Sequence, residues 1–152
     1  MKLRKKLLIF SAVFWGVVFL ANICKVTSMY VRFCDDAATG KWTRAGTDLS
    51  QLRLPWVLSK TLDVGYDTPT RTGLEHRNYI RILSNYPGSR RAFEALIEYV
   101  EADRLIYRGD AVLALRRFPA MWVWPKLMEW AFTNDRRVQK SAILLMLIRD
   151  ID

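Results

Sequence analysis

The N-terminal 24 residues constrain this chain more than any other part of it. Lys2, Arg4, Lys5 and Lys6 are followed by residues 7–24, eighteen positions without a single charge. A helix over that run is about 27 Å long, close to the hydrocarbon thickness of a bilayer. A helix that is apolar all round, here with Phe10, Phe14, Trp15 and Phe19, needs lipid or a large protein core about it. A chain of 152 residues has little core to spare, so the run predicts a transmembrane helix.

A cleaved secretory signal has a shorter apolar stretch, of about 7 to 15 residues, and small residues before the cut. Cleavage at Val26-Thr27-Ser28 would put Lys25 in a stretch that is normally uncharged. Lipid attachment at Cys24 would need a small residue where Ile23 stands. The segment therefore reads as an uncleaved signal-anchor. Beyond the run come only Lys25 and Arg32, soon followed by Asp35 and Asp36. Cytoplasmic flanks are enriched in Lys and Arg, so the N-terminus is expected in the cytoplasm. The remainder then lies outside it, which in a bacterium is the periplasmic side of the inner membrane.

The formal charge of +9 is partly a topology signal. Five of the 24 basic residues and none of the 15 acidic ones lie in positions 1–25, which leaves 19 against 15, or +4. A nucleic-acid binder shows a stronger and more clustered excess, so composition argues against nucleic acid as a partner. Cys24 and Cys34, the two cysteines, have neither metal-ligand spacing nor the makings of a disulfide framework. Three segments are expected: a cytoplasmic tip and anchor over 1–31, a linker over 32–53, and a helical domain over 54–152. The linker reading rests on Thr, Gly, Ser and Asp, with single apolar residues such as Trp42 and Leu49 and no sustained period.

The domain repeats. At an offset of 31, Leu96, Ile97, Glu98 and Tyr99 fall on Leu127, Met128, Glu129 and Trp130. At the same offset Ala111, Val112, Leu113 and Leu115 fall on Ala142, Ile143, Leu144 and Met146. Each unit reads as two helices. Phe93, Leu96, Ile97 and Val100 form one apolar face in the first, and Phe118-Pro119 closes the second, where proline cannot continue a helix. A fainter unit places residues 76–87 over 108–119, with a first helix over 55–62 and a loop containing Gly65, Pro69 and Gly73. Helical pairs that cannot bury their own apolar faces stack on one another, so about three pairs predict an all-α fold, a small α-solenoid.

Residues 125–150 carry a Leu-rich helix, a turn with Asn134 and Asp135, then Val138, Lys140, Ala142 and a second Leu-rich helix ending near Asp150. This pattern resembles a HEAT repeat, well over 125–150, moderately in the preceding unit and weakly in the first. Asn134 or Asp135 is expected to cap the second helix, and Ala142 to let it approach its neighbour closely.

No residue set names a reaction, and no cofactor or metal is expected. His76 is the only histidine, which excludes a histidine-based triad and a two-histidine metal site within one chain. Glu94, Glu98 and Glu101 recur at helical spacing, but Arg90, Arg91 and Arg104 flank them as surface ion pairs would. The residues expected to bind a partner are Trp122, Trp124, Arg116, Arg117, Arg136, Arg137, Leu144 and Leu147. The turn over 118–125 sets aromatics at a helix junction where Trp122 and Trp124 cannot share one helical face. The arginine pairs, Arg90-Arg91 included, recur near helix ends, either as solvated charges at helix termini or as one ridge facing an acidic partner or lipid headgroups.

The last helix is apolar on every side over 142–148, where terminal repeats usually turn a polar face outward. Its cover is expected to be the segment near Trp42 to Trp56, a second copy of the chain, another protein or the membrane surface. The functional expectation is a membrane-anchored, extracytoplasmic binding protein without catalysis, either an envelope scaffold subunit or a toxin-immunity protein. The alternative is a cytoplasm-facing HEAT-like module that binds nucleic acid or acts as an enzyme.

Overall fold

The computed structural model describes residues 2–39, 41–65, 72–102 and 107–149, with side chains described between 11 and 147; Pro69, Arg104 and Asp150 lie outside them. Among the described residues there are eight helices and no strand. They are α1 (Lys2–Ala38), α2 (Arg44–Ser50), α3 (Pro55–Val64), α4 (Gly73–Ser84), α5 (Arg90–Glu101), α6 (Arg108–Leu115), α7 (Ala120–Ala131) and α8 (Arg136–Arg149). Within α1, Ser11–Ala38 is long enough and apolar enough to cross a membrane, with a mean hydropathy of 1.6 in its most apolar window. That window is not buried against the rest of the chain.

The helices stack as pairs in two layers. α1, α3 and α5 follow one another in one layer, and α2, α4, α6 and α8 in the other. α7 packs on α8 and reaches α5 through side chains. The apolar face expected of α5 is built as read: Phe93, Leu96, Ile97 and Val100 are all buried. Local chemistry sets the helix starts. Thr72 and Glu75 form a reciprocal capping box on α4, Ser89 caps α5, and the Asp135 carboxylate accepts from the Arg137 and Val138 amides to begin α8.

The expected linker over 32–53 is not one. α1 runs through to Ala38, and its last turns carry Phe33 and Ala37 into the core. α2 then folds back on them, capped by Thr43, whose hydroxyl also bonds to Asp36. Phe33 packs 6.2 Å from the Trp42 ring and 5.8 Å from Trp56, centroid to centroid. Trp42 continues the contact to Tyr79 at 5.9 Å, and Asn78 donates to its carbonyl at 2.8 Å. Gly46 permits this approach: a Cβ there would stand 3.0 Å from both Phe33 and Ile82. The end of α1 and α2 thus form a further helical pair ahead of the three expected. A seven-residue helix bearing Thr, Gly and Asp shows no apolar period, because tertiary partners rather than pattern hold it.

α7 also begins earlier than the sequence reading has it. The expected turn over 118–125 closes by Pro119, and Pro125 lies inside the helix. Burial of Val123 and Leu127 on either side outweighs the backbone bond that Pro125 removes.

Phe33→Ala should destabilise the domain by about 3–5 kcal/mol, the usual cost of emptying a buried aromatic site. Denaturant unfolding of the full chain in detergent, followed by circular dichroism, measures it. Pro125→Ala should raise the thermal midpoint, since an exposed mid-helix proline costs up to about 3 kcal/mol and alanine restores the missing donor.

Candidate functional site

The α7–α8 hairpin ends the stack, and its outer faces are apolar. In α7, Val123, Leu127 and Trp130 face the core. Met121, Trp124, Met128 and Phe132 follow at i, i+3, i+7 and i+11 on the opposite side, exposed by 77, 41, 48 and 80 %. On α8, Val138, Ala142 and Leu145 are buried while Ile143, Leu144 and Leu147 are exposed. No helix packs on those exposed faces among the described residues. The segment near Trp42 to Trp56, one of the expected covers, instead packs on α1, α3 and α4 at the other end of the stack.

The two tryptophans part company as the helical spacing demands. Trp122 is half-buried, 5.9 Å from Phe93, with the Arg90 guanidinium 5.5 Å over its ring. Its area is spent inside the fold, whereas Trp124 presents its face to solvent. Large side chains of this kind supply most of the energy of protein interfaces. Met121, Met128, Phe132 and Ile143 belong to the same outer faces and lie outside the expected set. The signal was available in the i, i+3, i+7 spacing once the helix is begun at Ala120 rather than at Pro125.

The arginines do not form one ridge. Arg116 and Arg117 lie at the α6–α7 connection, and Arg90 and Arg91 open α5 at the same edge of the stack. Arg136 and Arg137 open α8 at the opposite edge, so that ridge divides into two. All six are exposed. Arg90 pairs with Glu94 at 2.9 Å, and Arg117 donates to Asn85 at 3.1 Å.

His76 is held by structure: its Nδ1 lies 3.0 Å from the Tyr99 hydroxyl, and Tyr107 stacks on its ring at 6.1 Å. Cys24 is exposed and Cys34 half-buried on α1, both as free thiols. Among the described residues no three His, Cys, Asp or Glu side chains converge as a metal site would need.

One ionic cluster fixes the terminal hairpin. Lys126 lies 2.8 Å from both Glu101 and Glu129, and the Trp130 indole donates to Glu101 at 2.9 Å. Burial raises the Glu101 carboxyl, but the bonds from Lys126 and Trp130 and the lysine charge outweigh it and hold its pKa below the usual value. Burial lowers Lys126, and its two carboxylate partners more than reverse this. Compared with family models, with curated proteins and with solved structures, the chain finds no match.

A depressed carboxylate stabilises the fold above its unfolded pKa of about 4.3 and loses that contribution as pH falls through the folded value. Glu101→Gln should therefore lower the thermal midpoint at neutral pH. The gap from the parent protein should close on acidification, which thermal scans across the acid limb will read.

Proposed function

We propose that this chain is a single-pass membrane protein whose helical array, held outside the cytoplasm, binds another protein through its terminal hairpin and catalyses nothing. The carrying observation is the exposure of Met121, Trp124, Met128 and Phe132 along α7 and its C-cap, and of Ile143, Leu144 and Leu147 on the neighbouring α8. Soluble monomers rarely leave such a surface bare, and it is lined by the aromatic and methionine side chains that interfaces favour. The resemblance of residues 125–150 to a HEAT repeat supports the same reading, since stacked helical pairs offer extended binding faces. An envelope scaffold subunit and a toxin-immunity protein both fit a small anchored binder of this form. Orientation follows from the four basic residues ahead of the apolar run against two just behind it.

The full chain extracted in mild detergent should co-purify with a stoichiometric partner. Trp124→Ala with Met128→Lys should weaken that complex by about 2 kcal/mol or more, roughly thirtyfold. Both positions are exposed, so the thermal midpoint should hold. Recovery of a lone monomer, under conditions that keep other membrane complexes intact, would count against the reading. A reporter fused after Asp152 should be active only outside the cytoplasm, and cytoplasmic activity would reverse the orientation.

A further inference from the structure

The chain reverses direction at each connection, so the turns of the stack fall on two opposite edges. Residues 51–54, 85–89 and 116–119 share one of them, as the bonds around them show. Asn85 donates to the Ser50 hydroxyl at 2.8 Å, Tyr86 to the Leu54 carbonyl at 2.9 Å, and Arg117 to Asn85 at 3.1 Å. Burial pushes the Tyr86 phenol up to about 12, so the ring stays a neutral donor in this ladder. The same edge begins α3, where the Trp56 ring lies 5.0 Å from Tyr30 of α1.

Tyr30 gives that edge a height above the bilayer. It stands six residues past Cys24, the end of the uncharged run, which is about 9 Å along an unbroken helix. The headgroup layer occupies about 5–8 Å beyond the hydrocarbon on each side. The ring pair thus stands at the outer margin of the headgroups, where Trp and Tyr concentrate in membrane proteins. Side chains reaching down from this edge enter the layer.

The chemistry of the edge suits lipid phosphate. Residues 51–54, 85–91 and 116–119 hold Arg53, Arg90, Arg91, Arg116 and Arg117 and no Asp or Glu. Glu75, Glu101, Asp110 and Asp135 lie toward the other edge, while Glu94, one turn into α5, pairs with Arg90 at 2.9 Å. Leu52 is 54 % exposed beside Arg53, and Trp56 is 39 % exposed. Between the first two turns a cleft of about 550 Å³ opens, with Leu58, Pro87, Arg53 and Arg91 among its lining. Arg53 also holds a left-handed φ of 51°, a conformation in which glycine would be less strained.

We infer that this edge lies on the membrane that α1 crosses. Arg53, Arg91, Arg116 and Arg117 hold the phosphates of anionic lipids, and Leu52 and Trp56 sit among the headgroups. The inference rests on α1 as a membrane span; it needs neither the orientation nor the α7–α8 partner.

The full chain with Cys24→Ser and Cys34→Ser, in nanodiscs of phosphatidylcholine with or without phosphatidylglycerol, provides the test. A fluorophore is attached at Leu52→Cys, at Asn134→Cys on the other edge, or at Trp15→Cys, and quenched by nitroxide lipids. Headgroup nitroxide should quench position 52 several-fold more than 134, more so with phosphatidylglycerol, and less as salt is raised. Arg53→Gly should reduce the docked over the undocked population about fivefold, as expected for one arginine at an anionic surface. Its thermal midpoint should hold or rise, and Arg136→Gln on the other edge should leave the quenching unchanged. Equal quenching at 52 and 134, with position 15 quenched by acyl-chain nitroxide, overturns the edge contact while the anchor stands. Indifference of position 52 to phosphatidylglycerol likewise removes the arginine–lipid contact. Position 15 unquenched from the acyl chains overturns both readings.

Discussion

The packing of Phe33 against Trp42, Trp56 and Gly46 is the contact on which the rest of the structure depends. It joins a helix whose apolar window is not buried by the rest of the chain to a stack in which alternate helices rest on one another. Without it, Trp42 would keep Tyr79 and the bond that Asn78 makes to its carbonyl from α4, but would lose the ring that joins it to α1. The hydrophobic gain is local, but its effect is propagated: α2 holds α4, α4 holds α6, and α6 holds α8. Stacks of this kind draw their stability from neighbour interfaces, so the first interface governs how firmly the array is joined to α1.

Much of the architecture is legible in the residues themselves. The apolar run over 7–24 and the spacing of Phe93, Leu96, Ile97 and Val100 are local patterns, and α1 and α5 follow them. Residues 32–53 are not legible in the same way. Trp42 and Leu49 look like isolated apolar residues among polar ones, and their burial is decided by Phe33 and Tyr79, which lie elsewhere in the sequence. Pro125 misleads for a related reason: proline favours a helix start, yet here Val123 and Leu127 bury on both sides of it. The exposure of Trp124, Leu144 and Leu147 was legible in the sequence, and the placement of the arginines was not. Whether two arginine pairs share an edge depends on how many reversals separate them, which no local window contains.

The array therefore presents surfaces of different character at different places. Its terminal hairpin is apolar and aromatic on the outside, and one long edge carries five arginines in its turns, with Glu94 paired to one of them. The ionic cluster of Glu101, Lys126 and Trp130 ties the hairpin back to α5, so the apolar faces are carried on a fixed element rather than on a loop. Trp122, folded in beneath Arg90, contributes to that rigidity while its neighbour Trp124 stays available.

The helix that begins in the apolar run does not stop before the stack but becomes its first member, with no break from Lys2 to Ala38. A tethered domain on a flexible linker can tumble and meet a target at any angle. Here the stack follows α1 as a clock hand follows its arbor, so any turn or tilt of the helix is passed on to it whole. The terminal hairpin, at the far end of the stack, then moves furthest for a given turn of α1.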